Sequence, residues 1–217
     1  MKNIRIQALH DMLKEGMIPA DIGTDHAFLP LLALESGKAQ KFYACDIAKG
    51  PLEGAAKNIR EAGYTDQITC ILCDGIAKVP EDTDAIIIAG MGWMTARHIL
   101  EEGLDRLCHM KQILVEVNRD TVSLRRWISD HHFTIDDEKV VFDRGHSYEI
   151  VSFTTAVHDS YSEEEILMGP ILLERRDEDF LLYAQQQCER IRKLLCYRKS
   201  EQERAVLEEQ LERWSEV

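Results

Sequence analysis

No apolar run in the 217-residue sequence approaches the roughly 20 residues that a membrane-spanning helix needs. Basic side chains are also scarce. Lys and Arg number 26 against 39 Asp and Glu, for a net charge of −13. That excludes a protein that coats DNA nonspecifically or holds a membrane by a polybasic surface. A local basic stripe can still meet nucleic acid. The deficit is shared, with −7 in residues 1–155 and −6 in residues 156–217. The six cysteines form no disulfide framework. Only Cys70 and Cys73 have C-x2-C spacing, in a strand-like run where positions three apart face opposite sides. They read as buried thiols, so no metal is expected. Unpaired thiols point to a reducing compartment. The opening Met1-Lys2-Asn3-Ile4-Arg5 leads into an amphipathic run and not an apolar signal core, so a cytoplasmic location is expected.

What is present describes a globular protein. Hydrophobic residues make up 45% and charged residues 30%. The length suits one large domain with a small appendage. Strand and helix signals alternate along most of it. Helices are expected over residues 4–15, 27–36, 52–62, 96–102 and 122–130. The helix over 52–62 follows Gly50-Pro51. Strands are expected over 17–22, 42–45, 68–72, 85–89 and 112–117. Continuous apolar strands such as Ala-Ile-Ile-Ile-Ala at 85–89 indicate a parallel sheet covered on both faces. Residues 133–142 and 148–157 flank Asp143-Arg144-Gly145-His146, a hairpin signal, so a C-terminal antiparallel pair should complete a mostly parallel seven-stranded sheet.

Composition changes near His158. Ser162-x-x-Glu165 and Ser200-x-x-Glu203 match the capping box. Leu173, Phe180, Ala184, Gln187, Ile191 and Leu195 lie at helical steps, and Leu207, Leu211 and Trp214 continue the stripe. The expectation is a domain over residues 1–158 and a coiled-coil-like helical hairpin over 159–217. That hairpin would leave a monomer or form a weak homo-oligomer.

Ligands of an open parallel sheet bind beyond the carboxyl ends of its strands. Here those ends read Asp21-Ile-Gly23-Thr24-Asp25-His26, then Asp46, then Asp74-Gly75, then Gly90-Met91-Gly92-Trp93, then Glu116-Val117-Asn118. Gly23 permits a tight turn and close ligand approach. An ionised acid ending the second strand can accept from both hydroxyls of a ribose, and Asp74 can accept from an exocyclic amine. The first loop is not G-x-G-x-x-G, which argues against a pyrophosphate-bearing dinucleotide. S-adenosylmethionine, with a ribose, an adenine, a sulfonium and no phosphate, fits better.

Asp21-Ile-Gly-Thr-Asp-His-Ala-Phe-Leu-Pro30, Gly50-Pro51, Asp74-Gly75, Ala89-Gly-Met-Gly92, Asn118, Leu124-Arg125-x-Trp127 and Tyr148-Glu149-Ile150 occur together and in order. This combination resembles the bacterial TrmK family of tRNA (adenine-N1)-methyltransferases, over essentially the whole chain. The resemblance implies a Rossmann-like class I methyltransferase domain of α/β class, with S-adenosylmethionine as cofactor and position 22 of tRNA as target. It implies that Asp21, Gly23, Thr24 and Asp25 line the methionine end and Asp46 holds the ribose. Asp74 and Gly75 would flank the adenine, and Gly90, Met91 and Gly92 the methyl-transfer site. Phe28, Trp93 and Glu116 depart from the family pattern where the target base should enter, so they are candidate substrate contacts. Asp25 is the candidate carboxylate for the cationic product, and Asn118 the amide that orients the base edge. A helix cap by Asp25 is the competing reading. Arg190, Arg192, Lys193, Arg198 and Lys199 cluster without an intervening acid, and on one helix could meet RNA phosphates. No DNA or membrane partner is expected. Two alternatives share the scaffold: a small-molecule methyltransferase, and a noncatalytic binding module.

Overall fold

The computed structural model describes residues 3–197 and 200–217. Helix α1 (Ile4–Met12) leads into β1 (Pro19–Ile22), α2 (Phe28–Glu35), β2 (Phe42–Asp46), α3 (Lys49–Ala62) and β3 (Ile68–Leu72). Then come β4 (Ala85–Met91), α4 (Trp93–Glu102), α5 (Leu104–Leu107), β5 (Gln112–Val117) and α6 (Thr121–Asp130). The sheet ends with β6 (Phe133–Asp143) and β7 (His146–Val157), followed by α7 (Glu163–Met168), α8 (Pro170–Arg175), α9 (Glu178–Leu195) and α10 (Glu201–Ser215).

The seven strands run β3-β2-β1-β4-β5-β7-β6. Strands β1 to β5 pair in parallel, and β7 is antiparallel to both β5 and β6. The order reverses between β1 and β4, which opens a crevice at their carboxyl ends. Both faces of β4 are covered. Ile86 and Ile88 enter a core with α4 and α6, while Ala85 and Ile87 enter another with α1, α2 and α3. That two-sided burial explains why the strand carries no polar residue. Trp127 is buried in the first core and Trp214 in a third, beneath the C-terminal helices.

Three expectations are corrected. Helix α3 begins at Lys49, so Gly50-Pro51 lies in its first turn. Proline is tolerated there because a first-turn amide has no intrahelical acceptor. Residue Ala27, in the left-handed region, sits at the N-cap position of α2 with no side-chain cap bond, so Asp25 caps nothing. The C-terminal stripe is also broken. Leu173 lies on α8, separated from α9 by left-handed Arg176, and Gln187 is only half-buried. The α9–α10 hairpin itself stands, with Phe180, Ala184 and Ile191 packed with Trp214. Both capping boxes form, at Ser162 and Ser200.

These helices dock on the outer edge strand β6. Buried Arg125 of α6 donates from Nε to Glu138 Oε1 at 2.6 Å and from Nη2 to Glu149 Oε1 at 2.8 Å. Tyr183 Oη of α9 donates to Glu149 Oε2 at 2.7 Å, and the Ile171 amide of α8 to Glu138 Oε2 at 3.0 Å. Each buried charge thus has partners from separate elements, the condition under which burial of an ion pair is tolerated.

Candidate active site

Every parallel strand delivers its terminal polar residue to the crevice. After β1 the Gly23 and Thr24 amides both donate to Cys45 O of β2, at 2.8 and 2.9 Å, which folds the loop across the strand ends. Gly23 has φ +83°, and a Cβ there would collide with Met91 Cε. The left-handed φ is what favours glycine here, since the tip of the Met91 side chain can move aside. Burial lifts the Asp21 carboxyl from its ordinary 3.8 to about 6, helped by nearby Asp46. The Thr24 hydroxyl and Arg5 pull the other way without winning. Asp46 Oδ1 accepts the Ala48 amide at 2.7 Å, leaving Oδ2 as a further acceptor. Asp74 is exposed beyond β3, and the Cys73 thiol turns away from it to donate to Gly75 O. Two cavities open at this end. One of about 200 Å³ is lined by Arg5, Asp21, Thr24, Asp25 and Phe28. One of about 250 Å³ is lined by Asp74, Gly75, His98 and Glu102.

The fourth strand end is pinned from two sides. Between Ala89 and Met91 the β4–β5 register shifts, and Gly90 takes φ +78° within the bulge. Its amide donates to Glu116 Oε2 at 2.9 Å, and its carbonyl accepts from Asn118 Nδ2 at 2.9 Å. Arg5 Nη1 of α1 reaches the same Glu116 oxygen at 3.0 Å, and its guanidinium lies 5.5 Å from the Tyr148 ring centre. The Glu116 side chain is fully buried. Burial raises its pKa despite the opposing pull of Arg5 and the Gly90 amide. The expectation that Glu116 touches substrate is therefore corrected. It lies beneath Gly90 and holds the turn, because its inward face on β5 is covered by α1. Asn118 is exposed, and with its amide nitrogen on Gly90 it leaves Oδ1 as a free acceptor.

The crevice mouth is more open. Asp25 has a side chain 75% exposed, with Oδ2 3.3 Å from His26 Nε2. The His26 ring is 5.3 Å from Phe28, itself 55% exposed at the start of α2. Trp93 does not stand free in the entrance. It opens α4 half-buried and packs on the first core. Its neighbour Met94, in the first turn of α4, is 71% exposed, an apolar side chain that the sequence did not single out. Arg5 was missed too, because nothing in the sequence links it to Glu116, 111 residues away. Met91 and Gly92 finish β4 and cap α4. Arg190, Arg192 and Lys193 are exposed on α9. Helix α9 ends at Leu195, and Arg198 and Lys199 lie outside the described residues. Among the described residues, no three His, Cys, Asp or Glu side chains group as metal ligands, and no helix is long and apolar enough to cross a membrane.

A sheet in this order, with acids at its first three carboxyl ends and a glycine turn at the fourth, defines a class I methyltransferase fold. The family model described as TrmK, tRNA (adenine(22)-N(1))-methyltransferase, matches residues 19–216. The chain belongs to the TrmK family. The tRNA (adenine(22)-N(1))-methyltransferase of Bacillus subtilis is 31% identical over 183 residues, 82% of this chain and 77% of that relative. The crystal structure of Streptococcus pneumoniae Sp1610 in complex with S-adenosyl-L-methionine is 30% identical with a TM-score of 0.89, covering 100% of this chain and 99% of that one. The crystal structure of the B. subtilis m1A22 tRNA methyltransferase TrmK is 27% identical with a TM-score of 0.85, covering 100% and 98%.

Proposed function

We propose that the protein transfers a methyl group from S-adenosylmethionine to N1 of adenine 22 in tRNA. The observation that carries this reading is the Gly90 turn, pinned between Glu116 and Asn118 at the same end of the sheet as three strand-end acids. The residues present fit the cofactor. Asp46 and Asp74 are acceptors suited to ribose hydroxyls and an exocyclic amine. Gly23 carries no Cβ and holds φ +83°, so its backbone is open to close approach. Asp21, Thr24 and the Gly23 loop face the end where a cationic amino acid group is favoured. The bound cofactor would supply an electrophilic methyl group on a cationic sulfur.

Adenine N1 already has a lone pair, so the protein's task is placement more than proton removal. Positioning of this kind is worth on the order of 7–11 kcal/mol in favourable intramolecular cases. The rigid Gly90-Met91-Gly92 turn provides a fixed wall for that placement. Asn118 Oδ1 is suited to accept from the adenine 6-amino group beside N1. Phe28 and Met94 give apolar contact to an unstacked base, and N1 must be out of any pair to react. Methylation makes the ring cationic, and the Asp25 carboxylate at the mouth lowers the cost of that charge. Residues 1–158 carry these groups. Residues 159–217 form a helical part whose Arg190, Arg192 and Lys193 offer charges to RNA phosphates. The test is incubation with labelled cofactor and bulk bacterial tRNA, followed by nucleoside mapping. N1-methyladenosine at position 22 is expected, and no labelled product with any tRNA would overturn the reading.

A further inference from the structure

The β6–β7 ribbon is longer than its neighbours require. Strand β5 ends at Val117, and its last pair with β7 is Glu116 with Ile150. Strand β7 begins four residues earlier, at His146. Because β7 is antiparallel to β5, Val117 falls opposite Glu149, so residues 146–148 run past the carboxyl end of β5, an overhang of about 10 Å. Strand β6 accompanies them through pairs Val141 with Tyr148, Phe142 with Ser147 and Asp143 with His146. Two residues close the ribbon, Arg144 at φ +51° and Gly145 at φ +81°, both left-handed as a tight two-residue hairpin turn demands. The overhang therefore stands on the side of the sheet where the crevice opens, and its outermost residue is an arginine.

Arg144 is exposed and forms no ion pair among the described residues. Arg119, two residues past β5, is exposed and unpaired in the same way. Its neighbour Asp120 is engaged by the Ser123 hydroxyl at 2.7 Å. At this end of the sheet the β1–β3 half carries Asp21, Asp25, Asp46 and Asp74 with Lys49 and Lys78 nearby, and the β5–β7 half carries the two unpaired arginines, Arg119 and Arg144, each next to an aspartate in the chain, Asp120 and Asp143.

Helix α9 extends the basic side. Arg175, just before α9, holds Asp137 at 2.6 Å, and Tyr183 of α9 holds Glu149, opposite Val140. The chain therefore advances along the ribbon toward its tip. Phe142, one residue from the end of β6, packs on the cluster that contains Ile191. From Tyr183, Arg190 is about 10 Å further along the helix. From Glu149, the tip is about 10 Å further along the strand. Arg190 and Arg144 are thus carried beyond the sheet together.

Resting on the tRNA reading above, we infer that the β6–β7 ribbon tip is an RNA-contacting finger. Arg144, with Arg119 at the same end of the sheet, meets backbone phosphates next to the target nucleotide and links the crevice to the α9 cations. Phosphates suit these residues because unpaired guanidiniums at a rigid turn offer bidentate donors at little ordering cost. Contacts of this kind set position and carry no base preference.

The experiment measures tRNA binding between 50 and 200 mM salt for the wild type, Arg144→Ala and Arg60→Ala. Arg60 is an exposed cation near the far end of α3, away from the crevice, and serves as the matched loss of charge. S-adenosylmethionine affinity reports that each variant is folded and is expected to be unchanged. Each phosphate contact contributes about 0.7–0.9 to the slope of log affinity against log salt. Across that fourfold rise in salt, wild-type affinity should fall about threefold more than that of Arg144→Ala. Arg60→Ala should follow the wild type. A salt slope for Arg144→Ala equal to that of the wild type overturns the finger alone. No binding of tRNA by the wild type overturns the proposed function with it.

Discussion

Asp21 sits at the base of the Gly23 loop with its carboxyl raised to about 6 by burial. A cationic cofactor group pairs only with the ionised form. Affinity should therefore hold steady above pH 7 and fall below pH 6. At pH 5 only about a tenth of the free protein has Asp21 ionised, so the dissociation constant should rise about tenfold, or about 1.4 kcal/mol. Binding should release about half a proton at pH 6 and nearly a whole one at pH 5. Calorimetric titration of S-adenosylmethionine at pH 5, 6 and 7, in two buffers of different ionisation enthalpy, reads both quantities. The same shift has a stability consequence of opposite sign. Because the folded carboxyl has the higher pKa, the folded state holds the extra proton between pH 3.8 and about 6. Stability of the ligand-free protein is then fully present below 3.8 and declines as pH rises through that window, by about 3 kcal/mol at most. Asp21→Asn removes the penalty. It should raise the thermal midpoint of the ligand-free protein at pH 7 while weakening cofactor binding and abolishing its pH dependence. Cofactor affinity that stays flat from pH 5 to 7 in the wild type, or an Asp21→Asn variant less stable than the wild type, would refute the reasoning.

Glu116→Gln keeps an acceptor for the Gly90 amide but removes the charge opposite Arg5, whereas Glu116→Leu strands both. Urea unfolding should show a loss of about 1 kcal/mol for the first and about 2–4 kcal/mol for the second. Equal losses would mean that the hydrogen bond to Gly90 carries nothing. Asp25→Ala, at an exposed position with no cap bond to lose, should leave cofactor affinity intact and slow single-turnover methylation of tRNA by about tenfold or more. Unchanged single-turnover rates would remove Asp25 from the chemistry.

The order of strands and helices was legible because burial on two faces leaves a simple mark, an unbroken apolar run such as residues 85–89. Helix boundaries were less so. Trp93 and Gly50 both lie inside helices whose starts were placed later, since a first turn needs no apolar periodicity. The strand-end acids stood out because Asp21, Asp46 and Asp74 each follow such a run. Roles that depend on what covers a residue did not stand out. Glu116 and Asn118 read alike, as polar residues ending one strand. Glu116 lies within β5 under α1 and is buried, whereas Asn118 lies past the end of the strand and is exposed.

The sequence by itself therefore determined the α/β alternation, the crevice at the carboxyl ends and the acids that line it. These follow from local periodicity and from short spacings along the chain. Only the tertiary structure decided that Arg5 closes over Glu116, that Trp93 leans on the core while Met94 faces out, and that Arg144 stands past the carboxyl end of the sheet. Those facts rest on contacts across as many as 111 residues and on strand register. Neither is encoded in any short window of sequence, because a one-residue change of register moves every side chain to the opposite face.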